Sequence, residues 1–425
     1  MTAFSLEPEQ LAWCERLRTL AAERLRPLAD KGDPGHVNRP LVAELGALGL
    51  LPRLFTSGAL DLCLMRESLA YACTEAETAL ALQGLGAHPV HAHGTEAQRA
   101  RWLPRVSDGT AVAAFALSEP TAGSDAAALT LRAEPTRVRD AADGTGTVAV
   151  PGASVPAGGG PRRGVRPDGT GTAAALVAEG DGRSAWRLTG EKCWISNAPE
   201  ADFYTVFART TPGAGARGVT AFLVPADRPG LGGTPLDMLS PHPIGALAFD
   251  AVPVTADDVL GEPDRGFRVA MGTLNLFRPS VGAFAVGMAR AALDATLAHT
   301  GARDAFGGKL RDLQTVSHQV AEMALRTEAA RLMVYAAATA YDENAPDVPR
   351  RAAMAKLLAT ETAQYVVDKA VQLHGARALQ RGHLLEHLYR EVRAPRVYEG
   401  ASEVQRDIIA KELYRAQDTT REAGA

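Results

Sequence analysis

The sequence predicts an α+β protein of three successive parts. These are an N-terminal all-helical domain over residues 1–112, a middle antiparallel β domain over 113–260 and a C-terminal helical bundle over 261–425. Three observations carry this reading. The first third is rich in Ala, Leu, Arg and Glu, in segments separated by Pro and Gly. Near Ala111 the chain turns to short β-branched and aromatic runs divided by Gly and Pro. From Phe267 onward apolar residues recur at helical spacing. With 425 residues and 46% hydrophobic content, the chain can bury a core in two or three domains.

In the first part, a helix is expected over Leu11 to Leu28, stopping at Pro27. Two more follow over Leu41 to Leu50 and Leu60 to Ala72. Thr95 followed three residues later by Gln98 is a capping-box pattern, so a helix is expected to start there and run to Leu103. The middle part offers six strand candidates: Val112 to Leu117, Leu129 to Ala133, Ala185 to Thr189, Phe203 to Ala208, Val219 to Val224 and Ala246 to Val252. Between them lies a segment from Pro135 to about Gly182 dominated by Gly, Ala, Pro, Arg and Asp. It carries little apolar surface and reads as a long flexible loop inserted at about 135–182. Its glycines do not follow a strand-turn-helix phosphate pattern. In the last part, Leu313, Val316, Val320 and Met323 form one apolar stripe, and Val281, Phe284 and Met288 another. Long stripes joined by short turns point to a bundle. Gln417 to Ala425 reads as a frayed end.

The formal net charge is −4, which gives no reason to expect nucleic acid or an anionic membrane as partner. Cys14, Cys63, Cys73 and Cys193 are scattered, with no C-x-x-C pair, so neither a disulfide framework nor a zinc site is indicated. The polar first residues lack the pattern of a secretion signal. No apolar run approaches the ~20 residues of a membrane span. A soluble cytoplasmic protein is expected. His88, His91 and His93 cluster without a carboxylate or Cys to complete a ligand set, so no metal is expected.

Four blocks carry the chemistry: Phe115-Ala-Leu-Ser-Glu-Pro-Thr-Ala-Gly-Ser-Asp125, Gly190-Glu-Lys-Cys-Trp-Ile-Ser-Asn197, Arg303-Asp-Ala-Phe-Gly307 with Gln314, and Arg396-Val-Tyr-Glu-Gly-Ala-Ser-Glu-Val-Gln-Arg406. In the last, the Glu399 carboxylate sits between an aromatic ring and a glycine. A carboxylate held there against a flat partner, away from water, is a stronger base near neutral pH. The same local pattern equally describes a solvated loop. Ser118 and Ser196 are short hydroxyls at strand ends, and Trp194 offers a flat wall. A core Trp and ordinary strand-end serines are the other reading.

In this order the four blocks resemble the acyl-CoA dehydrogenase family of FAD flavoproteins, from about Phe4 to Tyr414. The resemblance implies the three-part fold above, with a four-helix bundle at its end. It implies FAD held by Phe115, Leu117, Ser118, Gly123, Ser124, Trp194, Ile195 and Ser196. Ser196 would approach flavin N5 and Trp194 would cover one ring face. A neighbouring subunit's Arg and Phe hold the pyrophosphate and adenosine side in the family. The matching residues are Arg303 and Phe306, with Gln314, Gln372, Leu373 and Gly375 completing the site. Ala401 and Glu403 also match cofactor positions. Shared cofactor sites imply a homodimer or homotetramer.

For an acyl-CoA substrate, the resemblance places Ser124, Asn275 and Arg278 along the CoA arm, and Tyr398 and Gly400 beside the acyl group. Arg278 is equally readable as a structural helix residue. Glu399 would remove the α-proton while the β-hydrogen leaves as hydride. The thioester carbonyl would be met by the Glu399 N–H and a ribityl hydroxyl. Some members carry the base on an earlier helix; the matching residue here is Phe277, which cannot serve. Leu85, Gly86, Ala87 and His88 match the region that closes the acyl cavity.

Electrons would pass to an electron-transferring flavoprotein or similar acceptor. Three departures are visible: Ala401 where Thr is usual, Leu373-His-Gly-Ala-Arg377 in place of a Phe-Gly-Gly turn, and a short linker Ser240-Pro-His-Pro-Ile-Gly245. Other readings within the resemblance are action on a carrier-protein thioester, an oxidase or flavin hydroxylase, and a non-enzymatic DNA-binding relative. The near-neutral charge and the retained Glu399 oppose the last.

Overall fold

The computed structural model describes residues 6–136 and 185–423. The expected 135–182 loop lies outside these residues apart from Pro135 and Thr136, which end a strand.

The chain opens with seven helices: α1 (Pro8–Leu20), continued by a π-turn at Ala21–Leu25 into α2 (Arg26–Ala29), then α3 (Arg39–Ala47), α4 (Leu50–Thr56), α5 (Ala59–Ala72), α6 (Thr74–His93) and α7 (Glu96–Ser107). The α7 capping box is present: the Gln98 N–H donates to Thr95 Oγ1 and the Thr95 N–H to Gln98 Oε1. The sequence reading stops the first helix at Pro27. In the structure the helix runs on past Pro27, which lies just after the π-turn.

The α6 helix has no counterpart in the sequence reading, because Gly84, Gly86 and Pro89 lie inside it. Its glycines answer to packing instead. A Cβ on Gly86 would stand 2.6 Å from the Ala114 nitrogen, and one on Gly84 would stand 2.8 Å from the Phe277 ring. Gln83 locks the same face to the next domain. Its Nε2 donates to Ala111 O (2.7 Å), and its Oε1 accepts from the Ala113 N–H (2.8 Å).

The middle part contains β1 (Ala113–Ala116), β2 (Arg132–Thr136), β3 (Ala185–Ser196), β4 (Phe203–Arg209), β5 (Val219–Pro225), β6 (Leu231–Pro235), β7 (Ile244–Thr255) and β8 (Val259–Leu260). They form one sheet in the order β6-β7-β3-β2-β4-β5-β8, with β1 also on β4. It is not wholly antiparallel as expected: β1 and β2 both run parallel to β4. The edge strand β6 is an addition to the sequence reading. Its Leu-Gly-Gly-Thr-Pro sequence carries turn residues, which an exposed edge tolerates.

Both faces of the central strands are covered. Phe203 and Phe207 of β4 pack with Trp102 and Val106 of α7, whereas Tyr204, Val206 and Ala208 pack with Trp186, Phe222 and Val252. This accounts for the continuous apolar run of β4.

A buried ion pair fastens the turn after β1 to β3. Lys192 Nζ donates to Glu119 Oε1 (2.8 Å) and to Leu117 O (2.9 Å). Glu119 also accepts from the Thr130 N–H, the Thr130 hydroxyl and the Leu131 N–H. Burial raises the Glu119 carboxyl, but the Lys192 charge and these bonds outweigh it, so it ends low. Burial brings Lys192 down to about 8.

The last part begins with α8 (Gly266–Ala302). A short hairpin of β9 (Asp304–Ala305) and β10 (Gly308–Lys309) follows, then α9 (Gln314–Asp342), α10 (Val348–His374), α11 (Leu384–Glu391) and α12 (Ser402–Ala423). The helices α8, α9, α10 and α12 form the bundle, and α5 packs along α8 and α9. Glu67 of α5 ties these together, accepting from Arg290 of α8 (2.5 Å) and Tyr335 of α9 (2.7 Å). Val281, Phe284 and Met288 are buried as the stripe predicts. Along the other stripe Val316 and Met323 are buried, while Leu313 and Val320 are half-exposed.

One expectation is corrected here. By length and composition α8 could cross a membrane, although no such segment was expected from the sequence. Two thirds of its most apolar window (67%) is buried against other helices, which accounts for its apolarity as a core helix.

Two stability measurements follow. Gly86→Ala forces backbone of α6 and β1 apart and is expected to cost about 2 kcal/mol or more in urea unfolding. Lys192→Met leaves the Glu119 carboxylate buried without its cation and is expected to cost about 3 kcal/mol, whereas Glu119→Gln/Lys192→Met together recover part of that loss.

Candidate active site

The carboxylate at the centre of the site is placed by an unusual piece of backbone. Glu399 has φ +51° and Gly400 φ +94°, in the short connection between the turn at Ala394–Arg396 and α12. A left-handed Glu is sparsely populated, so surrounding bonds must hold it. They do so through carbonyls. Gly400 O accepts from Lys356 Nζ (2.7 Å) and Gln405 Nε2 (2.8 Å). Glu399 O accepts from Gln405 Nε2 (3.3 Å) and Arg278 Nε (3.4 Å). Glu361 of α10 anchors the flanks, bonding Ser402 Oγ (2.5 Å) and Arg396 Nη2 (2.9 Å).

The Glu399 side chain is not consumed by this scaffold. Its Oε2 is buried and has no hydrogen-bond partner, and its backbone N–H donates to no described residue. Burial pushes its carboxyl above the usual carboxylate range, although Arg66, Lys356 and Arg278 pull the other way. Arg66 belongs to a buried pair with Glu77 and donates to Ser280 Oγ (2.7 Å). A desolvated carboxylate with an open oxygen is equipped to take a proton.

The sequence singled out Arg278 for the CoA arm or a helix role. The structure buries it at 5% exposure, on the Glu399 carbonyl and on Asn275 Oδ1 (3.3 Å). Both Asn275 and Arg278 therefore border Glu399 rather than stand out on the surface. Tyr398 lies at the rim, partly exposed. Phe277 is buried against Gly84 and His88, its ring centroid 6.2 Å from that of His88. His88 lies between Phe277 and His91, its Nδ1 buried without a partner, and burial brings it down to about 4. The linker Ser240–Gly245 is tied down by Glu391 of α11, which meets His242 Nε2 (2.7 Å) and Ser240 Oγ (3.1 Å).

A second group of residues lies on the sheet. The β3 pairing with β7 slips between Lys192 and Ile195, and within this bulge Trp194 has φ +56°. The bulge leaves the Trp194 ring 49% exposed while Ile195 stays buried. The Cys193 N–H donates to Ser118 O (3.0 Å), bringing the Ser118 turn alongside Trp194. Phe115 packs on Phe207, and Leu117 is buried beneath the turn. Neither the Ser118 nor the Ser196 hydroxyl bonds another described residue, and the surroundings of Gly123 and Ser124 are open. Sequence reasoning missed Glu119 and Lys192 as the fastening of this edge. Both stood inside quoted blocks, and the signal was their opposite charge, one just after β1 and the other within β3.

A third group is on the bundle end. Phe306 has φ +54° and is 90% exposed, and Arg303 is exposed with no carboxylate partner among the described residues. Gln314, Gln372 and Gly375 are exposed, with Leu373 half-buried. Ala401 is half-buried and Glu403 exposed at the start of α12.

An exposed flat ring beside two open hydroxyls, and an exposed Phe with an unpaired Arg, are what a large planar cofactor with a diphosphate requires. The donor set therefore fits FAD. The sheet edge is suited to the isoalloxazine, and Arg303 and Phe306 to the diphosphate and adenosine side.

Comparison with known proteins agrees. Residues 7–110, 162–252 and 264–414 match the N-terminal, middle and C-terminal domains of acyl-CoA dehydrogenase. A probable acyl-CoA dehydrogenase of Mycobacterium leprae is 31% identical over 423 residues, covering 97% of each chain. The structure of butyryl-CoA dehydrogenase from Megasphaera elsdenii superposes with a TM-score of 0.81 at 28% identity, covering 97% of this chain and 99% of that one. A structure of PigA with FAD and proline gives 0.80 at 25% identity, covering 96% and 98%. The chain belongs to the acyl-CoA dehydrogenase family of FAD-dependent oxidoreductases.

Proposed function

We propose that this protein oxidises an acyl-CoA thioester to the trans-2-enoyl-CoA, with Glu399 as the base. The observation that carries the reading is the Glu399 carboxylate: buried, raised, and with one oxygen left without a donor. Oε2 would take the α-proton. The free Glu399 N–H would donate to the thioester carbonyl, where negative charge grows as that proton leaves. Arg66, Arg278 and Lys356 would keep the carboxylate anionic before the transfer. FAD, when bound, supplies the acceptor for the β-hydrogen as hydride. Ser118, Trp194 and Ser196 would seat its ring and Arg303 and Phe306 its far end in a partner subunit, in a homodimer or homotetramer. The electrons would pass on to an electron-transferring flavoprotein or similar acceptor.

The acyl group proposed is short. Phe277 and His88 fill the space between α6 and α8 with bulky rings, and Phe277 abuts Gly84. A long chain would need that space.

Anaerobic mixing of the purified yellow protein with a series of acyl-CoAs tests the reading. Butyryl-CoA is expected to bleach the flavin faster than palmitoyl-CoA. Glu399→Gln, which keeps the shape but cannot accept the proton, is expected to lose the bleaching rate by on the order of 10³-fold. A bound flavin that no acyl-CoA reduces would sink the proposal, and oxygen uptake without an added acceptor would favour an oxidase.

A further inference from the structure

Two lysines among the described residues are fully buried, and their surroundings differ. Lys192 has a carboxylate, Glu119, within hydrogen-bond distance. Lys356, on α10, has none. Its ammonium, with three N–H donors, makes one hydrogen bond, to Gly400 O at 2.7 Å. A buried ammonium held by a single neutral carbonyl is costly unless a counter-charge lies near.

That counter-charge is Glu399, the residue before the carbonyl that Lys356 binds. Glu399 shows the complementary deficit, a buried carboxylate oxygen with no donor. The other acid of α10 that faces this region, Glu361, is already engaged by Arg396 and Ser402. Glu403 projects from α12 into solvent. Arg66 on α5 is engaged by Glu77 of α6, and Arg278 on α8 by Asn275 and the Glu399 carbonyl. Of these three cations only Arg66 has an acid of its own; Lys356 and Arg278 have none, and Lys356 is the one held by a single neutral acceptor.

We propose that Lys356 is a positioning residue for the base. Its ammonium, held on the Gly400 carbonyl, keeps the Glu399–Gly400 turn in its left-handed form and supplies charge that holds the Glu399 carboxylate ionised. The inference rests on the reading of Glu399 as base. The two tasks need one another. The hydrogen bond fixes where the charge stands, and the left-handed Glu399 (φ +51°) leaves its carboxylate in the cage instead of in solvent. Burial brings Lys356 down to about 8, partly offset by Glu399. It therefore carries its charge below about pH 8. A neighbouring cation lowers a carboxyl pKa, so removing it must move the Glu399 ionisation to higher pH.

An infrared difference titration of the FAD-loaded enzyme without substrate reads this directly, with the Glu399 carboxyl band assigned by its loss in Glu399→Gln. Lys356→Met is expected to raise the Glu399 midpoint by about one pH unit. The acidic limb of kcat/KM is expected to move with it, and kcat to fall more than KM rises. Lys356→Arg returns the midpoint towards that of the unaltered protein. Lys356→Gln keeps an N–H for Gly400 O without charge, so its midpoint stays with Lys356→Met while its kcat lies above it. A Lys356→Met midpoint equal to that of the unaltered protein overturns the proposal. If Lys356→Met does not accumulate as folded protein, equal midpoints in Lys356→Gln and Lys356→Arg overturn it instead. Because the titration needs no substrate, it succeeds or fails separately from the acyl-CoA oxidation proposed above.

Discussion

A carboxylate taken out of water and left with an open oxygen is the constraint around which the helical half of this protein is arranged. Isolated, an ionised carboxylate in such a place would take up a proton. Here Arg66 from α5, Arg278 from α8 and Lys356 from α10 surround it, each from a different helix. The bundle must therefore hold three long side chains in register. The Glu67 junction with Arg290 and Tyr335 ties α5, α8 and α9 together, and Glu361 with Ser402 and Arg396 ties α10 to the loop. The result is a carboxylate raised by burial yet restrained by charge.

The sheet solves a different problem, that of presenting flat and polar groups to a large planar partner without losing the strands that carry them. Trp194 is turned outward by a bulge and a left-handed backbone, and Ile195 beside it stays in the core. Glu119 and Lys192 pull the Ser118 turn against this bulge from beneath. Each half of the site thus has a buried charge at its back, one paired and one left partly open. The paired one stiffens the edge, and the open one is the Glu399 carboxylate.

Much of the architecture was legible from local pattern. The capping box at Thr95, the stripe Val281–Phe284–Met288 and the apolar run of β4 each report a face that is buried in the structure. The failures have a common cause. No helix was expected over α6, whose Gly84 and Gly86 allow the close approach of Phe277 and the β1 backbone. The edge strand β6 is built of turn residues that only an outer position accepts. The parallel pairing of β1 and β2 with β4 and the burial of α8 depend on partners distant in sequence, which no local window contains.

By itself the sequence determined the helix–sheet–helix order, the family, and Glu399 as the carboxylate to watch, because each rests on residue type and spacing along the chain. Tertiary structure alone decided what surrounds that carboxylate. Its burial, its open oxygen, its positive φ and the cations around it come from α5, α8 and α10, hundreds of residues apart in the case of Arg66 and Glu399. The same folding gave Arg278 a place against the Glu399 carbonyl and gave Lys356, unremarkable in sequence, a buried position on the next carbonyl. Burial and counter-charge are properties of what surrounds a side chain, and a linear pattern does not carry them.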